Sequence, residues 1–233
     1  MCHIVDPAWV KDCPFRTILV SWRAGLGQCR HIVGEITLDE ERGALFSYRA
    51  GVSEIKKEGF MGFHGLPLEN PIDQKTAFDL FLRRIINTER EDAEHKLAFW
   101  GIKPELMPNK LYLLGATQGR SANDEFEFLP VLQQMSIPYT FVTDIAGISY
   151  SQIDLKQLSV GERVICEAEP DNQYDEMAVC VMTQERRKIG YLKRGINCLF
   201  SQLAPLKVDI VHIIDTENIK QVFISCQIPA ASR

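Results

Sequence analysis

The chain has no apolar run near the roughly 20 residues needed to cross a bilayer. Its longest, such as "AVCVM" and "LYLLGA", are far shorter, so no membrane span is expected. It also has no CxxC pair. The seven cysteines (Cys2, Cys13, Cys29, Cys166, Cys180, Cys198 and Cys226) are odd in number and scattered, which argues against a disulfide framework and against a zinc site. Reduced thiols in a cytoplasm fit this usage. The five histidines are equally dispersed, none at metal-ligand spacing from another, so neither a metal nor a cofactor is expected. The N-terminal "MCHIVDPAWVKDCPF" lacks the basic start and apolar core of a signal peptide and reads as a loosely docked leader of a cytoplasmic protein. An excess of positive charge is missing too: the net charge of -5 excludes bulk electrostatic coating of nucleic acid, though not a local basic groove.

What is present is an ordinary globular composition, 45% hydrophobic and 24% charged, so the chain is expected to fold. With 233 residues it can form one large domain or two small ones. In the first half, "RTILVSW", "RHIVGEITL" and "GALFSYR" are β-rich runs separated by Gly-containing turns, which predicts an antiparallel meander. A short helix is expected over 52–58, then a Gly- and Pro-broken stretch, then helices over 74–87 and 89–100. Strands are predicted at "KLYLLGA" and "EFEFL". Two prolines in "PVLQQMSIPYT" place a domain boundary within 130–140, giving an α+β domain over 15–130 and a second domain over 141–228. The second half reads as five or six short strands with one helix at about 195–203. That pattern predicts a small OB-like antiparallel β-barrel within an α+β protein.

The most informative stretch is "EPDNQYDEMAV", residues 169–179. Asp171, Asn172 and Asp175 can each hydrogen-bond nearby backbone, so a capped connection between strands accounts for them. Tyr174 adds a ring at an exposed turn, well placed to stack on a flat ligand. Such stacking on unpaired bases contributes roughly 1–3 kcal/mol per base. Tyr150 in "AGISYS" or Tyr191 in "KIGYLKR" could supply a second surface, and Tyr191 fits the core equally well. The densest basic run, "ERRKIGYLKRG", holds Arg186, Arg187, Lys188, Lys193 and Arg194.

The set "DIAGISY", "GERVICEAEPDNQYDEMAVCV" and "KIGYLKR" resembles the HIRAN domain, over about 141–206. The resemblance implies an OB-like barrel that, in eukaryotic members, binds single-stranded DNA and captures its 3′ end. It implies that Tyr150 and Tyr174 hold the terminal bases, that Asp175 accepts a hydrogen bond from the 3′-hydroxyl, that Asn172 supports the turn, and that Lys193 meets a phosphate. Arg187, Lys188 and Arg194 complete the expected DNA-binding set. Ser149 and Ser151 stand where the eukaryotic motif has a basic residue and a second tyrosine, and Glu167, Glu169 and Glu176 lie close by. Weak or partner-assisted DNA binding is therefore expected.

The stretch "RHIVGEITLDEERGALFSYRAG" followed by "GFHGLPLE" resembles the N-terminal subdomain of HipA-type kinases. Nothing after Pro130 could supply that family's kinase core, so phosphoryl transfer is not expected. The resemblance implies a protein partner for the first half. "AGLGQCR" and "GATQGR" lack the remaining elements of nucleotide loops and read as turns, and His64 in "GFHGLP" is the histidine most worth watching. The sequence thus predicts a non-enzymatic, cytoplasmic protein that binds single-stranded DNA or a DNA 3′ end through one domain and a protein through the other. An antitoxin-like or defence-system interaction subunit with a purely structural barrel is the alternative, and a nuclease is a third reading.

Overall fold

The structure, a computed structural model, describes residues 13–25, 28–39, 43–68, 71–87, 90–121, 123–132, 138–202 and 206–230. Residues 1–12 of the expected leader over 1–15, with Cys2, and much of the expected boundary stretch lie outside them. The chain divides into two compact units, Met1–Val131 and Leu132–Arg233. No described helix is long and apolar enough to cross a membrane.

The first unit carries a four-stranded sheet of order β3-β2-β1-β4, with β1 Phe15–Trp22, β2 His31–Asp39, β3 Gly43–Tyr48 and β4 Glu127–Leu132. The predicted meander is present: β1 pairs with β2 and β2 with β3, both antiparallel. The stretch Val52–Glu58 is a 3-10 helix, and α1 runs over Gln74–Leu82, shorter than expected. Asp73 caps α1 by accepting from Lys75 N at 3.2 Å. Just beyond the helix, Arg84 grips Asp124 with two contacts of 2.7 Å. Helix α2 covers Ala93–Phe99.

The predicted strand at "KLYLLGA" is wrong, because Lys110–Ala116 forms helix α3. Asn109 caps it, accepting from Tyr112 N at 2.8 Å. Leu111 to Ala116 are all buried, so the helix shows no polar face to betray its period. A β-carbon on Gly115 would stand 2.5 Å from the Phe15 ring, so the helix can approach β1 only with glycine there. The core is rich in aromatic rings: Phe46 meets Phe81 edge-on at 5.0 Å, and Phe63 meets Phe81 at 4.9 Å.

The second unit has two three-stranded sheets, β5-β10-β9 and β6-β7-β8. Their strands are β5 Tyr139–Asp144, β6 Ile165–Ala168, β7 Val179–Met182, β8 Lys188–Tyr191, β9 Lys207–Asp215 and β10 Lys220–Ile228, with helix α4 over Asn197–Gln202. All described ladders are antiparallel, so the α+β class holds. The expected barrel takes the form of two sheets stitched by isolated bridges at Ala146–Tyr191 and Arg163–Asp209 rather than one closed ladder. Both sheets feed one core, in which Val181, Ile189, Val208, Val222 and Ile224 are fully buried.

Candidate functional site

The turn between β6 and β7 is built by its own polar side chains. Asn172 Oδ1 accepts from the backbone N–H groups of Tyr174 (3.0 Å) and Asp175 (3.2 Å), and Asp175 Oδ1 accepts from Met177 N at 3.0 Å. Glu169 N donating to Ala178 O at 2.8 Å closes the base of the loop. The capping expected of Asn172 and Asp175 is therefore real, and it leaves the Tyr174 ring outside. That ring is 76% exposed.

Asp175 is only partly exposed and its other oxygen is engaged as well. Oδ2 accepts from Asn197 Nδ2 at 3.2 Å and pairs with Arg194 Nε at 3.3 Å. An ionised carboxylate offers about four lone-pair positions, so three contacts leave room for one further donor. Arg194 also donates to Tyr174 O at 2.8 Å, and Asn197 to Met177 O at 2.8 Å. Asn197 was not singled out from the sequence. Its one signal is an amide side chain at the first residue of helix α4.

Tyr191, at the end of β8, ties three sequence motifs together. Its backbone exchanges two hydrogen bonds with Ala146, at 2.8 and 2.9 Å, anchoring the "AGISY" segment. Gly190 permits this, since a β-carbon there would lie 2.3 Å from Ala146 O. The Tyr191 hydroxyl donates to Glu169 Oε2 at 2.6 Å and accepts from Asn172 Nδ2 at 3.2 Å. Asn172 Nδ2 also reaches Glu169 Oε2 at 2.7 Å. These hydrogen bonds, from Tyr191 first and then Asn172, hold the Glu169 carboxyl below its ordinary range. Burial, followed by the adjoining carboxylate, raises the Tyr191 phenol. Tyr191 is thus neither core filler nor a free stacking surface.

After Ala146 the chain passes Gly147, at a φ of 74° that favours glycine, into the 3-10 helix Ile148–Tyr150. Ile148 is buried and Tyr150 is 80% exposed. Tyr150 borders an open cleft of about 570 Å³, whose walls include Ile153, Asp154, Gln157, Arg187 and Lys188.

The five clustered cations part company in space. Arg186 forks onto Glu167 at 2.9 and 2.6 Å, which neutralises one of the acidic residues near the turn. Arg187 donates to Gln157, and Lys188 donates to the Tyr191 hydroxyl with its ammonium 4.0 Å from the ring centre. That bond raises the Lys188 ammonium above its ordinary value. Arg194 lies beside Asp175 and is half exposed. Lys193 points the other way: its side chain is 6% exposed and pairs with Asp144 Oδ1 at 2.5 Å. Tyr150, Arg187 and Lys188 therefore share the cleft, while Asn172, Tyr174, Asp175 and Arg194 share the turn. The Lys188–Tyr191–Asn172 contacts join the two.

Among the described residues no group of three or more His, Cys, Asp or Glu could hold a metal ion. His64 is largely exposed, 3.9 Å from Asp124. Burial pushes the Cys13 and Cys166 thiols up to about 12, which leaves them unreactive.

The sequence model of the HIRAN domain family matches residues 138–231. HIRAN domains are a DNA-binding family, and the match supports nucleic-acid binding in general. Two solved structures are similar to this chain. One is the HIRAN domain of human HLTF, at 17% identity and a TM-score of 0.32, covering 38% of this chain and 73% of that one. The other is a protein from Lactobacillus plantarum, at 21% identity and a TM-score of 0.30, covering 39% of this chain and 97% of that one. No curated protein matches.

Proposed function

We propose that the second unit binds single-stranded DNA by its 3′ end. The observation that carries this reading is the pair of tyrosine rings, Tyr150 and Tyr174, each more than three-quarters exposed. Tyr174 N donates to Asn172, which bonds the Tyr191 hydroxyl, and Tyr150 follows Ala146, which pairs with the Tyr191 backbone. In this reading the rings stack on terminal bases, Asp175 accepts from the free 3′-hydroxyl, and Arg194, beside Asp175, faces a phosphate. Lys193 then acts by holding Asp144 rather than by touching the strand. The protein acts by binding, without catalysis, in the cytoplasm. The first unit, with its HipA-like motif, binds a protein partner.

Fluorescence anisotropy of a short single strand with a free 3′-hydroxyl, beside the same strand carrying a 3′-phosphate, tests this. Preference for the hydroxyl, lost in Asp175→Ala while the fold persists, is expected. Equal affinity for the two strands removes the end-reading role. The second reading is an antitoxin-like or defence-system interaction subunit with a structural barrel. It draws on the net charge of -5 and on the exposed Glu176 beside the turn, both of which oppose a phosphate chain. Failure to bind either strand at low salt, with co-purification of a partner, would favour it.

A further inference from the structure

The geometry points to a second, separable subsite for the sugar-phosphate chain leading away from the captured end, in the cleft between residues 150–157 and the start of β8. This inference rests on the end-binding reading of the turn. The cleft of about 570 Å³ is far larger than a single phosphate needs, and falls in the range of small-ligand sites, about 300–1,000 Å³. Its wall chemistry is mixed in the way a nucleotide requires. Ile153, packed against the core, gives an apolar surface for sugar or base, Tyr150 gives an exposed ring at the rim, and Arg187 and Lys188 give positive charge.

The charges facing the cleft can be counted by source. Asp154 opposes the two cations, with its Oδ1 accepting from Lys156 N at 3.1 Å. Glu185 stands 3.8 Å from Arg187 on the hairpin side. Lys188 is held over the Tyr191 ring, so its charge is fixed near the rim. Arg187 spans the cleft mouth to Gln157, the last residue of the 3-10 helix Leu155–Gln157. A guanidinium has five N–H donors in a rigid fork, so the Gln157 bond leaves donors that can receive a phosphate without giving up that strap. The cleft also adjoins the end-binding turn by direct contact, because the Tyr191 hydroxyl that takes Lys188 takes Asn172 as well. A strand whose last base lies at Tyr174 can therefore continue past Tyr150 into the cleft.

The test compares a very short and a longer single-stranded DNA, both with free 3′-hydroxyls, by anisotropy across a salt series. The proteins are the wild type, Arg187→Ala and Gln157→Glu. The glutamate variant places a carboxylate opposite Arg187 and guards against loss of the fold through loss of the strap. For wild type, affinity is expected to rise with length. In both variants that gain shrinks severalfold, and the salt slope on the longer strand falls by about 0.7 for one lost phosphate contact. Preference for the 3′-hydroxyl over the 3′-phosphate on the short strand stays intact. If folded variants lose affinity for both lengths equally, or keep the full gain with length, the cleft is not a subsite. Absence of any 3′-end preference in the wild type overturns the end-binding reading itself, and this subsite with it.

Discussion

The hydroxyl of Tyr191 and the carboxylate of Glu169, 22 positions apart in sequence, meet at 2.6 Å. Through Asn172, which touches both, this contact governs the backbone of Tyr174 and Asp175. Removing the hydroxyl in Tyr191→Phe deletes a bond to a charged acceptor on a half-exposed network. Destabilisation of about 1 kcal/mol is expected, read as a lower urea midpoint with an unchanged slope. A second expectation separates positioning from stability: the ratio of affinities for 3′-hydroxyl and 3′-phosphate strands falls toward unity, which bare loss of stability would not cause.

The same network sets a pH dependence. Glu169 is held below its ordinary value of 4.5 by Tyr191 and Asn172, so its folded pKa lies under its unfolded one. Its contribution is fully present above the unfolded value and is lost as the pH falls through the folded value. The stability difference between wild type and Tyr191→Phe should hold from neutral pH down to about 5 and narrow in more acid solution. Denaturant titrations at several pH values check this. A difference that widens in acid would contradict the assignment.

Lys193 and Asp144 are the test of whether a conspicuous cation faces ligand or core. Lys193→Met leaves the Asp144 carboxylate buried beside an apolar chain, at a cost of about 3 kcal/mol. The salt slope of DNA binding by the variant that remains folded should match wild type. A shallower slope would mean that Lys193 meets a phosphate.

Gly190→Ala brings a methyl group within 2.3 Å of Ala146 O. Overpacking of this kind costs about 1–3 kcal/mol, and it should also loosen the Ala146–Tyr191 bridge. The expected outcome is a lower unfolding midpoint and faster amide exchange at Ala146 and Tyr191.

In the first unit, the Arg84 guanidinium lies against the neighbouring rings of Phe63 and Phe128, 5.4 and 5.5 Å from their centres, and forks onto Asp124. Burial alone would raise the Asp124 carboxyl, but Arg84 more than offsets it and the net shift is downward. Asp124→Ala should destabilise by about 3–5 kcal/mol, because the guanidinium is left without its counter-charge. Thermal unfolding read against Arg84→Met, which removes the charge as well, should find the double variant less damaged than the sum of the two single variants.

Strands were legible in this sequence because alternation and turn residues mark them locally. The three of the meander and the six of the second unit lie where the apolar runs place them. Helix α3 was not, since a short run buried on every side carries no period and its Asn109 cap looks like any loop asparagine. Helix α1 ends early, at Leu82, passing into the tighter turns Arg84 N to Phe81 O and Ile85 N to Leu82 O although the apolar pattern runs on to Ile85 and Ile86. At the candidate site, the Asn172 and Asp175 caps and the exposed Tyr174 ring were readable from turn chemistry, and Tyr150 from its place at the end of an apolar run and from the family resemblance. The role of Tyr191 was not, because Glu169 and Asn172, which its hydroxyl meets, come from the turn that follows β6. Neighbouring cations in the sequence likewise conceal that Lys193 and Arg194 leave the chain toward opposite environments.

The bridge between Ala146 and Tyr191 has a kinetic corollary. The segment after β5 and the end of β8, joined by paired backbone hydrogen bonds, are ordered when the chain folds, so in the proposed reading an arriving strand need not recruit them one at a time. Encounter should then be limited by how the flexible strand arranges itself, and association should quicken for sequences that stack weakly on themselves. The protein would behave as a fixed template, and the nucleic acid as the partner that adapts.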